Sequence, residues 1–400
     1  MQSNTLFDGD RMTLDQAVQL TAESLCAYAA RYRHWAIAFS GGKDSSAALT
    51  VALHLIETER VPRPASLSVL NSDTRLELTP LQICAESIMA SVRKKGWTAT
   101  TVLPDLDDRF FVYMLGRGIP PPKNRFRWCT SQLKIEPMIA SLKEANERAG
   151  EKMLMLTGVR LGESAARDDR IALSCSRDGA ECGQGWFQTS TPNSVADTLA
   201  PIVHWRICHV WDWLTEHAPR FGFPTTRFIA DAYGGQNDMQ ALIDTNARTG
   251  CICCPLVEHD TALERLISTP HWAYLAPLLR LRELWAELRL FRNRLQKNGE
   301  RKKDGTLSAN PMRKGPLTME ARKMAVRFVL GIQDDVNVEA RRQGRPEVVL
   351  INDEELARIR ELIESNLWPD GWSGEEEVGD VLLPEIRRDG TTLPLLQFEE

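Results

Sequence analysis

Apolar positions along the first 160 residues switch repeatedly between two periods. Over residues 12–33, Leu14, Ala17, Val18, Thr21 and Leu25 recur at the spacing of an amphipathic helix. A short apolar run, Trp35-Ala36-Ile37-Ala38-Phe39, follows and stops at Ser40-Gly41-Gly42; a helical pattern resumes from Ser45 to about Glu59. Ala65 to Leu70 predicts a second strand, ending in Asn71-Ser72-Asp73-Thr74 and leading into a helix to about Lys95. Thr98 to Leu103 and Lys152 to Thr157 predict two more strands, with a helix over residues 135–149 between them. Strands alternating with helices imply an α/β fold, a parallel Rossmann-like sheet covered on both faces.

Beyond residue 160 the rhythm changes. Residues 174–200, rich in Gly, Ser, Thr, Asp and Cys, read as a long loop. Residues 212–335 read as mainly helical, and residues 370–400 as irregular and acidic. The expected organisation is an N-terminal helix (1–33), a nucleotide-binding α/β domain (34–215), a helical C-terminal lobe (216–365) and an acidic tail (366–400).

Composition narrows the function classes. Hydrophobic residues make up 43% and charged residues 26%, the balance of a globular chain with a real core. The formal charge is −5, which excludes a uniformly basic nucleic-acid binder. No apolar run approaches the roughly 20 residues needed to cross a bilayer, and residues 1–10 carry no apolar signal core. A cytoplasmic protein without a membrane partner is expected, and its nine cysteines are then expected as thiols or metal ligands rather than disulfides.

The turn after the first strand is the strongest chemical signal. In Ser40-Gly41-Gly42-Lys43-Asp44-Ser45-Ser46 a glycine pair lets backbone N–H groups approach a polyphosphate, and the following helix presents its positive end to the same charge. Lys43 adds a point charge, and the hydroxyls of Ser45 and Ser46 suit phosphate or a magnesium ion. The spacing is not that of a Walker A loop.

Ser-Gly-Gly-x-Asp-Ser instead resembles the signature of the PP-loop ATP pyrophosphatases, of the adenine nucleotide alpha hydrolase (HUP) type. The resemblance implies that the loop grips the leaving pyrophosphate while AMP activates an oxygen of the acceptor. Four further segments resemble the PAPS-reductase-like branch of that family: Asn71 to Thr74; Gly116 to Pro122 leading to Arg125-Phe126-Arg127-Trp128-Cys129-Thr130 with Lys134; Gly158-Val159-Arg160 with Glu163, Ser164 and Arg167; and Val210 to Leu214. Arg127, Lys134, Arg160 and Arg167 are expected to converge at the carboxyl ends of the strands, where open α/β sheets bind ligands, and to grip phosphate. Gly158 and Glu163 belong to the same nucleotide-side segment, and Asp44 and Asp73 are expected to hold Mg2+.

Cys251-Ile252-Cys253-Cys254 sets Cys251 and Cys254 at C-x-x-C spacing, and Cys175 and Cys182 flank a polar loop upstream. Four thiolates suit zinc or an iron–sulfur cluster. The segment around Gly250-Cys251-x-x-Cys254, with Val257 and Asp260, resembles the cluster motif of the DndC family, the sulfurtransferases of bacterial DNA phosphorothioation. Residues 315–322 resemble the C-terminal region of that family. This resemblance implies a 4Fe–4S cluster on Cys175, Cys182, Cys251 and Cys254, with zinc second. It also implies DNA as substrate, a cysteine desulfurase as sulfur donor, and other phosphorothioation subunits as partners.

Cys129 is a candidate sulfur-handling thiol. Cys253 is expected to be buried, and Cys26, Cys84 and Cys208 to lie in the core. Between Arg292 and Arg327, eleven Lys or Arg face three acids, giving about +8 against about −13 elsewhere, a candidate for the DNA backbone. His204, His209 and His217 are expected to be structural, and Trp205, Trp211 and Trp213 to form a packed seam. Three other readings fit parts of the pattern: an assimilatory PAPS or APS reductase, a tRNA thiolation enzyme, and a non-catalytic nucleotide-fold DNA-binding subunit. The reductases carry a Glu-Cys-Gly-Leu-His tail; here Glu181-Cys182-Gly183 lies mid-chain, and Leu395 to Glu400 holds no cysteine.

Overall fold

The computed structural model describes residues 12–124, 126–162, 195–233, 250–296 and 314–379, with the backbone of 186–188. These fall into two compact units. The first takes residues up to Asp73, Leu78–Val102 and Pro137–Thr249; the second takes Thr74–Glu77, Leu103–Glu136 and the chain from Gly250. Residues 103–136 therefore belong with the C-terminal part of the chain rather than with the α/β core expected over 34–215.

The first unit is built on a sheet of six described strands in the order β3-β2-β1-β4-β6-β5. β1 (His34–Phe39) lies at its centre and pairs in parallel with β2 (Ser66–Ser72) and β4 (Met153–Leu156). β3 (Thr98–Val102) extends one side in parallel. β6 (Ala196–Ala200) is parallel to β4, and β5 (Trp186–Gln188) closes that edge antiparallel to β6. β1 is apolar throughout because both faces are covered, as parallel strands require: Trp35, Ala36 and Ile37 are fully buried.

Helix α1 (Leu14–Ala29) starts on a capping box between Thr13 and Gln16 and buries Ala17, Val18, Thr21, Leu25 and Tyr28. Helix α2 (Lys43–Glu57) is buried along almost its whole length, and α3 (Thr79–Lys94) buries Leu81, Cys84, Ala85 and Ile88.

β5 and β6 correct the expectation of a loop over residues 174–200. The polar Asp197 hides β6 from a hydrophobicity pattern. It is buried, accepts a hydrogen bond from the Tyr32 hydroxyl at 2.5 Å and pairs with Lys152 at 2.7 Å, so its charge is answered inside the fold. The tryptophan seam is present: Trp205, Trp211 and Trp213 are buried, and the rings of Trp205 and Trp213 meet at 6.1 Å. His204 bonds the Ala17 carbonyl and His209 that of Met12, both structural roles.

The second unit is mainly helical, with its longest helix at Met319–Gln343. It also holds a small antiparallel sheet of Arg294–Gln296, Lys314–Leu317 and Glu377–Val378, which the expectation of helices alone omitted. Phe110, Phe111, Val112, Met114 and Leu115 are buried in this unit. Arg322 is fully buried and donates to the carbonyls of Leu115, Gly116 and Leu367. No described helix is long and apolar enough to cross a membrane.

Candidate active site

In the first unit the loop between β1 and α2 is shaped by steric exclusion. Gly41 adopts φ +75°, and a side chain there would come within 2.7 Å of the Leu81 carbonyl. Gly42 caps α2 without a side-chain hydrogen bond, so the first amides of the helix take partners from elsewhere. Ser45 closes the turn: its hydroxyl bonds the Gly42 carbonyl at 3.0 Å, meets the Ser40 hydroxyl at 3.0 Å and accepts the Ser40 N–H at 3.3 Å. Ser46 is different. It is fully buried with its hydroxyl turned toward the Cys84 sulfur, which leaves only its backbone near the loop.

The segment after β4 packs directly on this loop. A Cβ on Gly158 would lie 2.7 Å from the backbone of Asp44 and Ser45, so only glycine fits there. Two residues on, Arg160 is 5% exposed and its Nε donates to Asp44 Oδ1 at 2.5 Å. The other carboxylate oxygen of Asp44 takes the Lys43 ammonium at 2.9 Å. Asp44 thus serves as the shared counter-ion that aims Lys43 and Arg160, and the trio keeps one net positive charge at the helix N-terminus. Asp73 ends β2, half-buried, with its N–H on the Val102 carbonyl. Glu163 and Arg167 lie outside the described residues.

Arg127, Cys129 and Lys134 belong to the second unit, together with Cys251 and Cys254. Arg127 is exposed and bonds Asn124, and Lys134 is exposed. The cysteine loop is fixed by side chains. Asp260 accepts the Cys253 N–H at 2.7 Å, and the Trp285 indole donates to the Cys253 carbonyl at 2.7 Å. Cys253 is buried, as expected, with its thiol on the Leu278 carbonyl and a left-handed backbone, φ +45°. Arg289 donates to the carbonyls of both Pro255 and Pro122, tying the cysteine loop to the segment that leads to Cys129. Phe110 binds the same two segments, with its ring 5.4 Å from Trp128 and 5.9 Å from Trp285.

This arrangement brings Cys129 into the electrostatic neighbourhood of Cys251 and Cys254, a grouping the C-x-x-C spacing alone did not reveal. Burial pushes the Cys251 thiol up to about 11, opposed by nearby Lys134 and reinforced by Glu77 and the other two thiols. Burial, then Cys254, also raises Cys129. Cys175 and Cys182 lie outside the described residues. Among the described residues, no three His, Cys, Asp or Glu side chains are placed to hold a single metal ion. Cys84 is buried as expected, but Cys26 and Cys208 are exposed, because both fall on outer helix faces.

The basic segment shrinks on inspection. Arg292 is paired with buried Glu287, Arg294 is buried on the carbonyls of Lys314 and Gly315, and Arg322 is internal. Lys323 and Arg327 are exposed; Lys297, Arg301, Lys302, Lys303 and Arg313 lie outside the described residues.

Residues 34–220 match the phosphoadenosine phosphosulfate reductase domain. Over that span the α/β core is PAPS reductase-like. That span holds the phosphate loop, Asp73, Gly158 and Arg160, together with the excursion bearing Arg127 and Cys129. An uncharacterized protein of Methanocaldococcus jannaschii, MJ0973, is 28% identical over 176 residues, which is 44% of this chain and 34% of that protein. The chain thus spans about a third of the length of this relative. Two crystal structures of the FMN adenylyltransferase of Candida glabrata, one with FMN and an ATP analogue, align with TM-scores of 0.36 and 0.34. They do so at 12% and 13% identity, over 58% and 59% of this chain and 66% and 68% of theirs.

Proposed function

We propose that this protein is an ATP pyrophosphatase that activates an acceptor oxygen for replacement by sulfur, with a DNA backbone phosphate as the acceptor. The observation that carries the reading is the loop Ser40–Ser46: a glycine turn at the N-terminus of α2, with Lys43 and Arg160 aimed by one carboxylate. Such a cradle suits the charge that builds on pyrophosphate as the Pα–O bond breaks. In this reading a non-bridging oxygen of the DNA phosphate attacks the α-phosphorus of ATP and pyrophosphate leaves. The terminal sulfur of a persulfide supplied by a cysteine desulfurase then displaces AMP from the adenylated backbone, and a thiol reduces the resulting S–S bond, leaving the phosphorothioate and a disulfide. Asp44 and Asp73 would help hold Mg2+.

Cys251 and Cys254, with Cys175 and Cys182, would hold the proposed 4Fe–4S cluster, which would supply a soft site for sulfur. The three neighbouring thiols of the second unit, Cys129 among them, fit such soft chemistry better than they fit a hard cation. DNA as acceptor is supported by the resemblance to the DndC family and by the exposed Lys323 and Arg327; the buried arginines of that segment add nothing to it.

Turnover of ATP to AMP and pyrophosphate tests the loop. Asp44→Ala and Ser45→Ala are each expected to lower it, Asp44→Ala by about 100-fold or more; full activity in both variants refutes the assignment. An anaerobic absorption band near ~400 nm, bleached on reduction, is expected of the cluster. A colourless protein with stoichiometric zinc would favour the metal reading instead. The match to a reductase domain favours one second reading, reduction of a sulfonucleotide, which adenosine 3′-phosphate 5′-phosphosulfate consumption with a thiol donor would reveal.

A further inference from the structure

Tyr233 is not part of any motif, yet three separate observations bring it to the phosphate loop within the first unit. Its hydroxyl accepts the backbone N–H of Lys43 at 3.4 Å. Its ring face lies 4.4 Å from the Lys43 ammonium. A Cβ placed on Gly42 would come within 3.3 Å of the same hydroxyl. The side chain is built in rather than draped: Tyr233 is 6% exposed, and its ring meets Trp211 edge-on at 5.7 Å.

We infer that Tyr233 is a positioning residue of the loop, acting through Lys43 on the polyphosphate; the inference rests on the loop being an ATP site. The chemistry follows from what a phenol can do. Its oxygen accepts the Lys43 amide, at a helix start that has no side-chain cap. Its ring holds the ammonium without adding negative charge, as a second carboxylate would. Lys43 therefore stays aimed. Gly42 acquires a second reason to be glycine, since a side chain there would press on the hydroxyl.

The test uses the full chain and two ligands, ATP and inorganic pyrophosphate. Tyr233→Phe keeps the ring and removes the oxygen. It is expected to raise KM for ATP and the calorimetric Kd for pyrophosphate about fivefold, with kcat within about twofold and the thermal midpoint unchanged. Tyr233→Leu removes the ring as well and is expected to lower kcat about tenfold further. In a Lys43→Met background, Tyr233→Leu should add less than about twofold, because its effect runs through Lys43. Wild-type values in both tyrosine variants overturn the inference, as do full additivity with Lys43→Met and losses that only track the thermal midpoint. A wild-type protein that binds neither ATP nor pyrophosphate instead overturns the reading of the loop itself.

Discussion

Around Ser40–Ser46 the backbone is the instrument, and glycines at 41, 42 and 158 clear the space for it. Around Cys251–Cys254 side chains take over: Asp260, Trp285 and Arg289 hold the loop through its own N–H and carbonyl groups. The first arrangement offers fixed positive charge and suits a hard anion. The second presents half-buried sulfurs and suits a soft ligand. Hardness of the partner thus follows from how each loop is held, and substitutions should separate the two.

The largest effect is expected at the tightest backbone approach. Gly158→Ala puts a methyl group 2.7 Å from the Asp44 and Ser45 backbone. Overpacking of this kind costs roughly 1–3 kcal/mol, and a displaced loop should lose on the order of 100-fold in pyrophosphate release. Denaturant unfolding and steady-state kinetics would measure both. Thiol labelling of Cys251 and Cys254 in the native state should be unchanged; a parallel rise would mean the two loops are not independent.

A smaller effect is expected in the second unit. Trp285→Phe keeps the aromatic packing but removes the bond to the Cys253 carbonyl, worth about 1 kcal/mol. Labelling of Cys251 and Cys254 should accelerate several-fold, while KM for ATP stays at the wild-type value. An altered KM would break the contrast.

The smallest effect is a pH dependence confined to the first unit. Burial lowers the pKa of His54, His204 and His209 below the ordinary imidazole value of 6.5. The unfolded chain then takes up these protons first as pH falls. Stability is full above that value and is lost as pH drops through the folded range. Melting of the α/β unit should shift down between pH 7 and 5, and His204→Gln should flatten that slope; an unchanged slope would remove His204 from the account.

Much of the first unit was legible because its signals are local. β1, the glycine turn and α2 are consecutive, and each residue type there has one mechanical reason. β6 was not legible, since Asp197 breaks its apolar run and is answered by Tyr32 and Lys152, far away in the chain. Tyr233 reaches Lys43 from 190 residues downstream, with no motif to announce it. Cys129 lies more than a hundred residues from Cys251, and contacts of Arg289 and Phe110 help bring their segments together. In the basic segment, charge counting cannot tell an exposed arginine from Arg322, which is spent on carbonyls inside the protein.

That buried guanidinium also sets a timetable for biosynthesis. The stretch Phe110–Gly116 leaves the ribosome about two hundred residues before Arg322, whose donors cap its carbonyls. Until then an apolar stretch of the nascent chain, between the strands β3 and β4 of a different unit, has no finished surroundings. Such a segment is a natural client for a chaperone. Cutting the gene at the boundary near residue 250 would not yield two tidy halves, because the chain passes between the units five times.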